Sequence, residues 1–211
     1  MDLQIHFSRL EARLGLVEDR FLNFQSNFSG RFDHRHWMFL EGLASATWQY
    51  WGNFCRSVVM ESALGAKTAS GVVLVACAGS RQEVSHIAAQ VTRKRQPAPG
   101  GTNSDLRLEP TWGDSGKLNV VINALDLGNK DTLARSFGAD SYIGHLQIVR
   151  NASAHRHHQN TAGVLALRPY YLVSRLRHPA EALLWLEEQS KTFAFLFWLE
   201  DMRMVGKLAI A

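Results

Sequence analysis

Two long apolar stripes at helical spacing set the limits on how this chain can fold. In residues 2 to 28, Leu3, Phe7, Leu10, Leu14, Val17, Phe21 and Phe24 recur at intervals of three and four. That spacing places side chains on one face of an α-helix. Arg9, Glu11, Arg13, Glu18 and Asp19 fall mostly between them, and Ser29-Gly30 breaks the pattern. A second stripe, residues 34 to 62, carries Trp37, Leu40, Leu43, Ala44, Trp48, Trp51, Phe54, Val58 and Val59. Asp33 is placed to cap it. Large aromatics at helical spacing read as core rather than as a binding platform. Gly42, Ala44, Ser45 and Ala46 are small, so a neighbouring helix can approach closely. The fold class expected is all-α.

The remainder of the chain mostly extends this expectation. Gly65 ends the second helix. Val72-Val73-Leu74-Val75-Ala76-Cys77-Ala78 before Gly79 reads as a buried strand or as the middle of a helix; periodicity does not decide a run this short. A Gly-Ser turn before a helix suits phosphate, but the glycine spacing of a nucleotide-binding fingerprint is missing. Residues 81 to 95 read as helix with a basic end, Arg93-Lys94-Arg95, and 96 to 104 as a Pro- and Gly-rich loop within one domain. Shorter helices are predicted at 116 to 127, 129 to 137 and 141 to 158, the last with Asp140 or Ser141 as its cap. Pro169 interrupts 160 to 177. Pro179 suits the first turn of a last helix over 179 to 208. Residues 1 to 211 then form one helical domain with an insertion or loop region at about 63 to 112.

A chain of 211 residues, 46% hydrophobic and 20% charged, suits a soluble globular protein. Two cysteines, Cys55 and Cys77, make no disulfide framework; among apolar neighbours both read as reduced core thiols. A net charge of +4 permits a polyanionic partner without demanding one. No signal peptide is read at the N-terminus, and the longest apolar run is too short to span a bilayer. A cytoplasmic protein without a membrane partner is expected.

Most of the candidate chemistry is concentrated in one stretch. Arg150-Asn151-Ala152-Ser153-Ala154-His155, followed by Arg156-His157-His158-Gln159-Asn160, holds two arginines, three histidines and two asparagines. RNA cleavage through the ribose 2′-hydroxyl needs this mixture. A base takes the 2′ proton, an acid protonates the leaving 5′ oxygen, and cations hold the phosphate between them. Histidine transfers protons near neutral pH, and arginine grips phosphate oxygens in pairs while staying charged. Asn151 can orient the imidazole or bond to the phosphate. Residues five apart lie out of phase on a continuous helix, so Arg150 and His155 converge better if the helix bends or ends, or across a dimer seam. A zinc reading of His145, His155 and His158 finds no cysteine or acid nearby. A serine hydrolase reading finds no Gly-x-Ser-x-Gly elbow.

The segment from Arg150 to His155 resembles the HEPN motif: an arginine, a polar residue directly after it, and a histidine a few residues on. The resemblance implies a HEPN-like helical bundle and a metal-independent endoribonuclease, a toxin or defence effector, with no cofactor. Arg150, Asn151 and His155 would be the catalytic set, and Arg156, His157 and His158 would help hold substrate. It implies RNA as the partner, a homodimer in which two motifs share one cleft, and a possible antitoxin protein. A non-catalytic HEPN-like module binding RNA, a nucleotide or a partner protein is the alternative.

Overall fold

A computed structural model describes residues 1–29, 31–92, 108–138, 142–155, 158–173 and 176–211. The described chain is predominantly all-α, with one small two-stranded sheet. Among the described residues no helix is long and apolar enough to cross a membrane. Contacts divide the protein into two compact units, and helices α1 (Leu3–Asn27), α2 (His34–Ala63) and the C-terminal helix contribute residues to each.

The first unit comprises Met1–Leu10, Trp51–Asp140 and Met204–Ala211. Asp2 caps α1 by accepting from the Gln4 amide at 2.8 Å. Phe7 meets Phe54 edge-on at 6.4 Å, and Trp51 meets Phe137 at 5.9 Å. Helix α3 (Arg81–Thr92) opens on a capping pair: the Glu83 amide donates to Ser80 Oγ, and the Glu83 carboxylate accepts from the Gly79 amide. Helices α4 (Ser115–Leu125) and α5 (Lys130–Gly138) follow, and α4 packs against both α3 and α5. Asp114 caps α4 by accepting from the Lys117 amide.

Residues 72–78 are neither the buried strand nor the helix expected. They run as an extended segment beside the turn that leaves α2, where Gly65 takes φ +89°. Leu74 N donates to Ala66 O and Cys77 N to Ala63 O, and Val73 makes an isolated bridge with Lys67, but among the described residues the run joins no sheet. Leu74 is therefore buried, while Val72, Val73 and Val75 face out. Cys77 is exposed, contrary to the core reading, and Cys55 is buried as expected. The basic end at 93–95 and the loop at 96–104 lie outside the described residues.

The second unit comprises Glu11–Tyr50 and Ser141–Arg203. Leu14, Val17 and Phe21 line the buried face of α1, and Phe21 contacts Phe193 and Phe195. Asp33 caps α2 as predicted, accepting from the Arg35 and His36 amides. The helix predicted over 141–158 stops early, as α6 (Ile143–Ala154), and a separate α7 (His158–Leu165) follows. Its predicted caps, Asp140 and Ser141, lie outside the described residues.

The last helix is also shorter than predicted. Pro179 does open a helix, but a 3₁₀ segment, Pro179–Leu184, followed by strand β2 (Leu186–Glu187). Strand β2 pairs antiparallel with β1 (Tyr171–Leu172), and α8 (Ala194–Ala209) begins only afterwards. The cause is local. Glu187 folds back on the amides of Gln189 and Ser190, and Lys191 takes φ +56°, so the helix pattern is replaced by a tight turn.

Candidate functional site

Helix α6 buries Leu146, Val149 and Ala152, which leaves Arg150 and Asn151 half-buried on its flank. The Arg150 guanidinium donates from Nη1 to Asn151 Oδ1 at 3.1 Å. Its Nε is buried and meets no acceptor. Among the described residues Arg150 forms no ion pair. Ser153, one turn on, is buried too, and its hydroxyl has no partner. A cation taken partly out of water without a carboxylate is costly, and so is a buried N–H with no acceptor.

His155 sits where α6 stops. Its backbone, at φ −127° and ψ 84°, leaves the helix, while its amide still bonds to Asn151 O at 2.9 Å. A continuous helix would hold Arg150 and His155 about 140° apart around its axis. Ending the helix at Ala154 frees the imidazole from that phase, and the ring is exposed to solvent. Asn160, in the first turns of α7, donates from Nδ2 to His155 O at 2.8 Å and ties the two helix ends together. His158 begins α7 and is exposed; Arg156 and His157 lie outside the described residues. The sequence-predicted set is thus joined in part. Arg150 is bonded to Asn151, and His155 is held through its backbone by Asn151 and Asn160. Among the described residues no hydrogen bond links the Arg150 and His155 side chains.

No family profile matches this chain, and neither does any curated protein or solved structure. What the residues can do must be argued from their own arrangement.

Sequence reasoning overlooked one polar network on the same helix. His145 Nδ1 lies 2.6 Å from Tyr171 Oη, and Trp198 Nε1 donates to that oxygen at 2.7 Å. An indole can only donate, so the phenol accepts from Trp198 and passes its own proton toward His145. Burial lowers the imidazole to about 4 and pushes the phenol above its ordinary value, which keeps the ring neutral and the hydroxyl protonated. His145 is therefore committed to a neighbour rather than free to serve with His155 and His158 as a ligand. Among the described residues no three His, Cys, Asp or Glu side chains gather at metal-binding distance.

A second overlooked group surrounds His178. Its Nδ1 accepts from the Ala180 amide, its Nε2 lies 3.1 Å from Glu41 Oε1, and its ring stacks on Trp37. Only 5% exposed, it caps and pins the 3₁₀ segment and has no surface to offer a substrate. The side-chain partners in both networks stand far apart in the chain, so no local pattern announces them. The candidate site is the end of α6: a guanidinium whose Nε has no acceptor, a side-chain amide, and an exposed imidazole.

Proposed function

We propose that the protein is a metal-independent endoribonuclease of the HEPN type, with Arg150, Asn151 and His155 as its catalytic set. The observation that carries the reading is the state of Arg150: half-buried, in no ion pair among the described residues, with a buried Nε that has no acceptor. A phosphodiester supplies what that group lacks, an anion with several acceptor oxygens in fork geometry. His155 offers the proton-transfer group within the same corner, and the Asn151 amide keeps the guanidinium oriented.

In the reaction, a base removes the 2′-hydroxyl proton, and O2′ bonds to phosphorus as the bond to O5′ breaks. The departing O5′ takes up a proton. The products are a 2′,3′-cyclic phosphate and a free 5′-hydroxyl. Arg150 holds the phosphate through the crowded transition state, where its charge is most negative. One imidazole serves as base or acid at a given moment. A homodimer with two motifs at one cleft would bring a second Arg–His pair. A toxin or defence role, held in check by an antitoxin, fits an enzyme that cuts cellular RNA.

The test is incubation of purified protein with labelled RNA in excess EDTA. Cleavage to cyclic-phosphate ends, lost in Arg150→Ala and His155→Ala, is the expected result. Equal cleavage by either variant removes these residues from the reaction. RNA binding without any cleavage would favour the non-catalytic module instead.

A further inference from the structure

The residues around the α1–α2 turn, within the second unit, form a stack of rings that the buried core does not need. Phe39 lies on Phe24 with centroids 5.0 Å apart and planes 24° from parallel. Phe24 stacks on Phe28 at 5.7 Å, and Phe28 meets Phe32 at 4.3 Å. The Arg177 guanidinium covers Phe32 at 5.7 Å. His36 sets its ring against Phe24, Phe28 and Phe32. None of these aromatic residues is fully buried, and Phe39, at the far end of the stack, is 36% exposed.

The charge beside the stack is mainly positive. Arg31 and Arg35 are exposed on either side of Phe32 in the chain, and the Arg177 side chain is 42% exposed. The first turn of α2 holds His34, Arg35 and His36 and no acid, although cations there oppose the helix dipole. The nearby carboxylates are already engaged. Asp33 caps α2 and pairs with His36, and the buried Glu181 holds Arg177 and the Trp37 indole. A surface built only for stability would not collect half-exposed rings and cations in excess of carboxylates together.

We propose that this end of the second unit binds single-stranded nucleic acid. An unpaired base extends the stack at Phe39, and Arg31 and Arg35 take the adjoining phosphates. Single strands are held by this combination, because every base has a π-face and every linkage a negative charge. A second copy of the chain fits poorly, since it would set Arg31, Arg35 and Arg177 against their own like charges. The surface depends on neither Arg150 nor His155, and it holds whether or not the protein cleaves RNA.

Fluorescence anisotropy with labelled 12-mers of oligothymidylate and oligouridylate tests it. Oligothymidylate lacks the 2′-hydroxyl and so reports binding apart from cleavage. Both strands should bind, and a DNA duplex of the same length more weakly. Phe39→Leu keeps an apolar side chain without a π-face and should weaken binding about tenfold, while Phe39→Trp should preserve it. Arg31→Ala and Arg35→Ala should each lower the salt dependence, by about 0.7 in the slope of log affinity against log salt. Circular dichroism checks that each variant keeps its helix content. The proposal is overturned if Phe39→Leu, Arg31→Ala and Arg35→Ala all bind like the parent. It is overturned equally if only phosphatidylserine vesicles bind, or if the patch instead drives self-association by light scattering.

Discussion

Arg56 and Arg150 are both partly buried arginines on helices, and they are treated differently. Arg56 meets Glu109 through two parallel bonds, Nε to Oε2 at 2.6 Å and Nη2 to Oε1 at 2.7 Å. Burial alone would push the Glu109 carboxyl up. Arg56, the Ser85 hydroxyl and the Trp112 indole together hold it below its ordinary value. Both carboxylate oxygens are engaged. Among the described residues Arg150 has one neutral amide and no carboxylate, and its Nε meets no acceptor. The first arginine is closed within the fold by a carboxylate, and the second has none among the described residues. Substitutions at the two sites should therefore move different observables.

The largest expected effect is on chemistry. Arg150→Ala or His155→Ala should lower the rate of RNA cleavage by roughly 10²–10⁴-fold, the range for losing a proton-transfer group or a transition-state cation. Arg56→Ala should leave cleavage per folded molecule unchanged, measured as single-turnover rate on gel-purified RNA. A comparable loss from Arg56→Ala would erase the contrast. Next in size, Glu109→Ala strands the Arg56 charge and leaves the Ser85 and Trp112 donors unpaired. Its cost should be about 3 kcal/mol in urea unfolding. A cost below about 1 kcal/mol would mean that the Arg56 network is not the sink it resembles.

How much of this was legible beforehand follows from the range of the forces involved. The α1 and α2 stripes could be read because helical periodicity is local. Every position from Leu3 to Phe21 on the α1 stripe is buried. Asp33 was legible as a cap, and Pro179 as a first-turn residue, for the same reason. The 72–78 run misled because an apolar composition does not say whether a neighbouring strand exists. The final helix misled because the Glu187 turn competes through side-chain bonds that a hydrophobic pattern ignores. At the site, the helix ends at Ala154, short of the predicted 158. The unsatisfied Nε of Arg150 was not legible, since it depends on what three-dimensional packing withholds. Neither was the His145–Tyr171–Trp198 chain, whose members lie 26 and 27 residues apart.

That chain gives an effect of intermediate size, and its sign can be worked out. An unfolded chain protonates His145 near pH 6.5, whereas the folded one resists until about pH 4. The unfolded state thus binds more protons in that interval, and stability rises with pH through it. The contribution is complete above about pH 6.5 and is lost as pH falls toward 4, on the order of 2 kcal/mol once partial exposure of the ring is allowed for. Burial lowers His6 as well, against the opposing charge of Glu61, and adds to the same trend. His145→Asn keeps an acceptor for Tyr171 and does not titrate. Its unfolding free energy should fall less steeply between pH 7 and 5 than the parent's. An identical slope would show that the ring is already wet in the folded protein.

The smallest effect is the sharpest discriminator between the two arginines, because it carries the opposite sign. Arg150→Met retains most of the side-chain length, removes the unneutralised charge and removes the orphaned Nε. If Arg150 is held for an outside anion, the substitution should stabilise the protein by up to about 1 kcal/mol while cleavage is lost, the trade expected where a site is built against stability. Arg56→Met, by contrast, leaves Glu109 without its cation and should destabilise. Adding phosphate should raise the Tm of the parent and leave Arg150→Met unmoved, since only a ligand that binds the folded state shifts the balance. A destabilised Arg150→Met with an intact phosphate response would place the anion elsewhere and make Arg150 an ordinary structural residue.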